Sequence, residues 1–382
     1  MEFELSEEHK LLRKTTRKFA EEFIRPVAEK YDESAEYPYE VVEEAKKLDL
    51  IAPSLPIEYG GAGMDFLAQA IVIEELFRGD AGIGLAISAR PFGSDMILEF
   101  GTEEQKQNYL KPVAEGDWIM GSAITEPEAG SDVASMKTKA EKDGDDYVLN
   151  GSKMFITNGT ICNFLIVFAR TDPEPQERHG GITSFIVESD REGFIAEPMK
   201  KKMGIRASDL AEITLKDCRI PAANIIGKLD MAFYQLMQFF GRGRVAIAAQ
   251  AIGIAQGAFD EAFQYAQDRK TFGRPIIDFQ GIQFKIADMA TDIEAARLLT
   301  YKSAWLVSQG GNPAKEASMA KLFASRVARE VANEALQIHG GYGFIKEYPV
   351  ERFYRDAKIT ELYEGTSEIQ RLIIARSLLG KI

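Results

Sequence analysis

Glu364 precedes Gly365 in the stretch YEGTSEIQR, where Ser367 and Gln370 have capping-box spacing and predict a helix start at Ser367. A carboxylate in a loop before a helix N-terminus is either a solvated surface charge or a base held at the mouth of a pocket. Four other stretches carry groups able to hold a ligand. ITEPEAGSD (124–132) joins a strand to a Gly/Ser turn whose backbone N–H groups suit anionic or carbonyl oxygens. It is equally an ordinary turn in which Ser131 or Asp132 bonds its own backbone. KMFITNG (153–159) places Phe155 and Thr157 on one strand face by period-two alternation, a face that suits a flat cofactor or a plain core. DRKTFGRP (268–275) offers Arg269, Lys270 and Arg274 to a phosphate, or to the C-terminus of the helix that ends there. QIHGGYGF (337–344) allows close backbone approach at Gly340, Gly341 and Gly343 beside the Gln337 amide, although a helix-ending loop also explains the glycines. His339 has no partners at metal-ligand spacing and reads as structural, so no metal site is expected.

Three regions of different texture must position these groups. From Ser6, a candidate N-cap, apolar residues Leu12, Phe19, Phe23 and Val27 recur at helical spacing until Pro26 ends or kinks the helix. Residues 1–115 are mostly helical in pattern. Short β-prone runs such as YVLNGSKMFIT, FLIVFART, GITSFIVES and AEITLKDCRI, separated by turn-forming stretches, then define a small β domain over residues 116–225. Residues 226–382 return to long amphipathic helices, with Ile286, Met289, Ile293 and Ala296 at steps of three or four. The fold class is α+β, and the absence of alternating βαβ units argues against a Rossmann sheet.

Composition narrows the partners. A formal charge of -13 with no long basic run argues against nucleic-acid binding, since neutralising phosphates needs clustered Lys and Arg. Local arginines can still receive a small anionic ligand. The two cysteines, Cys162 and Cys218, lie far apart and outside any CxxC pattern, which suggests a reducing, cytoplasmic setting without disulfides. The N-terminal stretch lacks an apolar signal core, and no apolar run is long enough to span a bilayer, so no membrane insertion is expected.

Taken together, in this order and at these intervals, the five segments resemble the acyl-CoA dehydrogenase family of flavoenzymes over essentially the whole chain, most closely its short-chain and branched-chain members. The resemblance implies an N-terminal helical domain, a central β-barrel and a C-terminal four-helix bundle, assembled as a homotetramer with FAD between barrel and helices and a neighbouring subunit completing its site. It implies that Ile124, Thr125, Ser131, Phe155, Ile156 and Thr157 line the flavin. Arg269, Thr271, Phe272, Gln280, Gln337, Gly340 and Gly341 then hold the pyrophosphate and adenosine part, with Thr366 and Glu368 as further FAD contacts. Ser131, Arg244 and Gly365 fall at substrate positions.

Glu364 aligns with the base that removes the α-proton of the thioester while a hydride passes from the β-carbon to flavin N5. In that family the thioester carbonyl is polarised by an FAD hydroxyl and by the backbone N–H of the base, which the resemblance implies is here that of Glu364. Other branches carry the base on the helix of GRGR (241–244), which here has no carboxylate. Glu128 departs from the glycine usual at that position.

In AISARPFGSDMI (86–97), which corresponds to the far end of the acyl cavity, Arg90 and Asp95 are unusual. A polar, carboxylated or cyclic acyl group would explain them, with Asp95 conceivable as a second base, but the expectation is that both face solvent or pair with each other. The resulting function is α,β-dehydrogenation of a short, branched or possibly cyclic acyl-CoA, with electrons passed to an electron-transferring flavoprotein. The alternatives are a same-fold enoyl-CoA reductase, a dehydrogenase of a dicarboxyl or alicyclic acyl-CoA, and a non-catalytic helical interaction protein. Glu364 and the full set of flavin segments speak against the last of these.

Overall fold

The computed structural model describes residues 4–311 and 313–380. The chain opens with α1 (Glu7–Phe19), α2 (Ala28–Ser34), α3 (Tyr39–Lys46), α4 (Phe66–Gly79), α5 (Ala81–Ser88), α6 (Ser94–Phe100) and the short α7 (Glu103–Gln105) and α8 (Lys111–Ala114). Ser6 caps α1, its Oγ accepting the His9 N–H at 3.2 Å. Downstream the helix widens into a π turn at Ala20–Ile24 and tightens into a 3-10 turn at Arg25–Val27. Pro26 lies in that tightened turn, where it has no N–H to donate and crowds the preceding carbonyl, so the distortion falls where the sequence predicts a break.

Helix α4 is buried almost throughout, including Glu74 and Glu75. Arg17 donates to both Glu75 oxygens, at 3.0 and 2.8 Å. Arg297 and Tyr301 donate to Glu74, at 3.0 and 2.6 Å. These hydrogen-bonded charges compensate the desolvation of two carboxylates and fix α4 between its neighbours.

The β region holds β1 (Met120–Ala123), β2 (Lys139–Asp143), β3 (Asp146–Thr157), β4 (Phe164–Arg170), β5 (Ile182–Glu188), β6 (Phe194–Pro198), β7 (Leu210–Pro221) and β8 (Ile225–Ile226). They form one sheet in the order β6-β7-β3-β2-β4-β5-β8, with β1 parallel to β4. Strand β4 is apolar at every position from Phe164 to Ala169 for a geometric reason. Leu165, Val167 and Ala169 enter one core with Leu149, Phe185 and Ile213, whereas Phe164, Ile166 and Phe168 join the core shared with the helices. A sheet buried on both faces needs no polar alternation.

The chain returns to helix in α9 (Ala232–Asp268), then a two-stranded hairpin of β9 (Lys270–Thr271) and β10 (Arg274–Pro275), α10 (Gln280–Ser308), α11 (Ala314–His339), α12 (Val350–Ala357) and α13 (Ser367–Leu378). The long helices α9, α10 and α11 pack together, with α13 against α11. Three regions meet at a buried charged junction. Arg352 donates to Asp80 at 2.8 Å, Asp356 accepts the Ile205 N–H at 2.6 Å, and Arg355 donates to both oxygens of Asp32 at 3.0 and 2.6 Å. Among the described residues no helix is long and apolar enough to cross a membrane.

Candidate active site

Glu364 sits in the turn between the 3-10 segment Lys358–Glu361 and α13, with φ +54, and Gly365 follows at φ +91. Two consecutive left-handed residues are costly where the first bears a side chain, and such strain collects at functional sites. The turn is held from behind. Gln370, fully buried, donates to the Gly365 carbonyl at 2.7 Å, and Lys321 of α11 donates to the same oxygen. Among the described residues the Glu364 N–H meets no acceptor.

The sequence reading placed a capping box at Ser367 and Gln370, and the structure corrects it. The cap is Thr366, whose hydroxyl accepts the Ile369 N–H at 3.4 Å, and the Gln370 amide turns inward to the turn carbonyls instead.

The Glu364 carboxylate lies against α9 at Gly243, where a Cβ would stand 2.6 Å from Oε2. Part of the residue remains open, but Oε2 is covered and, among the described residues, has no hydrogen-bond partner. Burial raises the carboxyl from 4.5 to about 7, against the pull of the nearby Lys321 and Arg244 cations. Arg244 is 6 % exposed and its Nε also lacks a partner, while burial pushes its guanidinium downward. An ionisable carboxylate and two cations close enough to act on it thus cluster beside an N–H that meets no acceptor among the described residues.

On the sheet, the segments 124–125 and 154–157 are stitched by the Met154 N–H donating to the Thr125 carbonyl at 2.8 Å. A bulge between Lys153 and Ile156, with Phe155 at φ +59, reverses the alternation of β3. Lys153 and Ile156 both point inward, while Phe155 is 59 % exposed and Thr157 half-buried. Phe155 and Thr157 share the side away from Ile156, as alternation places them, and the bulge is what turns that side away from the one Lys153 faces. Ile156 packs its side chain into the sheet core, so only its backbone is left to touch a ligand. Ile124 is likewise buried, in the core facing the helices, and Ser131 is exposed. Beneath them lies a pair that the sequence reading missed. Lys153, wholly buried, donates to Glu126 at 2.8 Å and to the Ile124 carbonyl at 3.2 Å, and burial lowers it to about 8 despite that carboxylate.

Arg269, Thr271, Gly340 and Gly341 share a groove of about 500 Å³ with Tyr265, Ile276, His339, Tyr342 and Ile345. Arg269 stands over the Tyr342 ring at 5.3 Å, whereas Arg274 stacks on Phe279 at 4.1 Å. His339 is structural, its Nδ1 2.8 Å from the Ala335 carbonyl and its ring stacked on Tyr265. Phe272, Gln280 and Gln337 are exposed and do not line this groove, and Glu368 is exposed on α13. Among the described residues no group of three or more His, Cys, Asp or Glu is placed to hold a metal.

Arg90 and Asp95 depart from expectation. Arg90 is buried and donates to the Gly116 carbonyl at 2.7 Å; Asp95 accepts from Arg242 at 2.8 Å, and that guanidinium also reaches Glu99 at 2.5 Å. Arg90 does not face solvent, Asp95 is half-buried, and the two do not pair with each other, because each finds a partner from outside its own segment. Sequence reasoning also passed over Lys321, although a lysine between Ala317, Ala320, Ala324 and Ala328 on a helix stripe is a signal in itself.

Three domain families match the chain in succession: acyl-CoA dehydrogenase N-terminal domain at residues 6–117, middle domain at 121–218 and C-terminal domain at 233–379. A 3-(aryl)acrylate reductase of Clostridium sporogenes is 45% identical over 376 residues, covering 98% of this chain and 99% of its own. A short-chain specific acyl-CoA dehydrogenase of Clostridium acetobutylicum is 44% identical over 383 residues, covering 100% of both. Among solved structures, butyryl-CoA dehydrogenase of Megasphaera elsdenii superposes with TM-score 0.95 at 40% identity, covering 99% of this chain and 100% of that one. A chain from work on the electron transferring flavoprotein of Acidaminococcus fermentans superposes with TM-score 0.96 at 42% identity, with the same coverage. Matches of this extent leave no part of the described fold outside one lineage, and the chain belongs to the acyl-CoA dehydrogenase family of oxidoreductases.

Proposed function

We propose that this chain is an FAD-dependent dehydrogenase of short, branched or cyclic acyl-CoA thioesters, with Glu364 as the base. The observation that carries the reading is the Glu364 turn: a covered carboxylate near neutrality beside an N–H with no acceptor. A general base works best when its pKa lies near the working pH, and burial has moved Glu364 there. The free N–H stands ready for a thioester oxygen, whose polarisation acidifies the α-carbon. Arg244, buried and with its Nε unpartnered among the described residues, suits an anionic or carbonyl group of the substrate.

The residues present fit FAD. Gly340 and Gly341 leave open space where a Cβ would stand, Arg269 gives that groove a cation, and Phe155 presents a ring beside the Thr125 backbone. Arg269, Thr271, Gly340 and Gly341 would hold its phosphate-bearing part, and Thr125, Phe155 and Thr157 its ring. When bound, the flavin supplies the two-electron acceptor that proton removal alone lacks. Phe272, 92 % exposed, supports a second copy completing the site in a homotetramer, and the structural neighbour from electron transferring flavoprotein work supports such a protein as partner. Two free, buried cysteines support a reducing, cytoplasmic setting.

The test is anaerobic titration of the purified flavoprotein with butyryl-, isobutyryl-, isovaleryl-, glutaryl- and cyclohexanecarboxyl-CoA, following flavin absorbance. Bleaching by one of them is expected; a protein that takes up no FAD, or whose flavin none of them bleaches, overturns the dehydrogenase reading. A second reading, reduction of an enoyl or arylacrylyl thioester, is favoured by the likeness to the 3-(aryl)acrylate reductase. Reoxidation of the reduced flavin by such a thioester is its signature.

A further inference from the structure

Lys321 is 1 % exposed in the small-residue stripe of α11, a position where a medium-sized apolar side chain would fill the same volume without desolvating a charge. Its Nζ reaches across to the Gly365 carbonyl, and the Gln370 amide takes the other side of that oxygen, so both acceptor directions of one carbonyl are engaged. That carbonyl belongs to the residue after Glu364, and the two left-handed residues share one turn.

We propose that Lys321 is the positioning residue of the base turn: its buried ammonium pins the Gly365 carbonyl and supplies the counter-charge that Glu364 needs when its proton is gone. The inference rests on the reading of Glu364 as base. Anchor and charge are separable duties. Gln370 already donates to the carbonyl, so a second neutral donor would serve for anchoring, but only a cation attracts a carboxylate whose Oε2 has no hydrogen-bond partner. The other charges facing Lys321 are Arg244 on α9, Glu361 on the 3-10 turn and Glu368 on α13. Glu361 is bonded to Arg329 and Lys358, and Glu368 is exposed. Among the described residues Arg244 is the one other cation acting on the Glu364 carboxylate. Burial lowers Lys321 itself to about 8, above the value of about 7 for Glu364, so its charge is still mostly present at the midpoint of the Glu364 titration.

The experiment is the pH dependence of flavin reduction by saturating acyl-CoA in stopped flow, for wild type, Lys321→Gln, Lys321→Met and Glu364→Gln. Lys321→Gln keeps a donor without charge; it should hold its plateau rate within ~3-fold while the acidic limb moves up by on the order of one pH unit, because the ionised carboxylate has lost an attraction. Lys321→Met should show the same displacement with a plateau lowered ~10-fold or more. A merely structural lysine would lower the plateau and leave the limb in place, and an unmoved limb in Lys321→Gln overturns the proposal even if Lys321→Met fails to fold. Failure of the underlying reading looks different: wild-type flavin would not be reduced, or Glu364→Gln would reduce it as fast as wild type.

Discussion

Replacing Glu364 by Gln should stabilise the protein at pH 8 while stopping its chemistry, and linkage gives the size of the gain. The carboxyl titrates ordinarily at 4.5 and in the fold at about 7, because burial disfavours its charged form more than Lys321 and Arg244 favour it. Between those values the folded protein holds a proton that the unfolded chain has released. Stability therefore falls as pH rises through the window, the reverse of the usual carboxylate. Above about 7 the full cost is present, roughly 3 kcal/mol at about 1.36 kcal/mol per pH unit, and it already includes the attraction of the two cations. Gln mimics the protonated acid. Urea midpoints of wild type and Glu364→Gln should differ by ~2–3 kcal/mol at pH 8 and by under ~1 kcal/mol at pH 5. Flavin reduction in the variant should fall by ~10²-fold or more, with the flavin band intact. A variant no more stable than wild type at pH 8, or a gap independent of pH, would show that the carboxylate carries no desolvation cost and that its placement against Gly243 is not what sets its basicity.

Three further substitutions probe the surroundings. Gly243→Ala places a methyl 2.6 Å from Glu364 Oε2. It should slow flavin reduction ~10-fold or more in stopped flow while leaving thermal stability equal or higher, since Ala favours a helix by about 1 kcal/mol over Gly; an unchanged rate would mean that the carboxylate can turn aside freely. Lys153→Met strands the buried Glu126, which also accepts the Lys137 and Thr138 N–H groups at 2.6 and 3.0 Å. A loss of ~3–5 kcal/mol in urea unfolding and weaker flavin retention in equilibrium dialysis are expected. Asp95→Asn removes one partner of Arg242 but leaves Glu99. Reduction of the flavin by the preferred thioester should stay within ~3-fold of wild type; a loss as large as that of Glu364→Gln would make Asp95 a second base.

The parts of this protein that were legible in advance are those where local chemistry and tertiary demand agree. Ser6 caps α1 and Pro26 distorts its end because capping and proline sterics are local rules. The α, β, α succession followed from periodicity for the same reason. What escaped were effects of neighbours distant in sequence. Period-two alternation carried past Lys153 would turn Phe155 into the core, yet the bulge turns it outward and buries Ile156. Asp95 pairs with a residue 147 positions away, and no local pattern announces that partner. Ser367 has the spacing for a capping box, but Gln370 is drawn off by the Gly365 carbonyl, leaving the cap to Thr366.

The same displacement of Gln370 shows how the turn and the Glu364 carboxylate depend on each other. Gly365 in the left-handed region directs its carbonyl backward, toward Lys321 and Gln370, and the two donors make that conformation hold. With the carbonyl so fixed, Glu364 stands in the left-handed region itself, its carboxylate reaches the notch at Gly243, and its N–H is left without an acceptor. A relaxed turn would lower strain at Glu364 and let solvent reach Oε2, returning the carboxyl toward 4.5 and away from the working range of a base. The strain, the glycine on α9 and the buried lysine are thus one arrangement, in which stability is given up locally so that a common carboxylate titrates near neutrality.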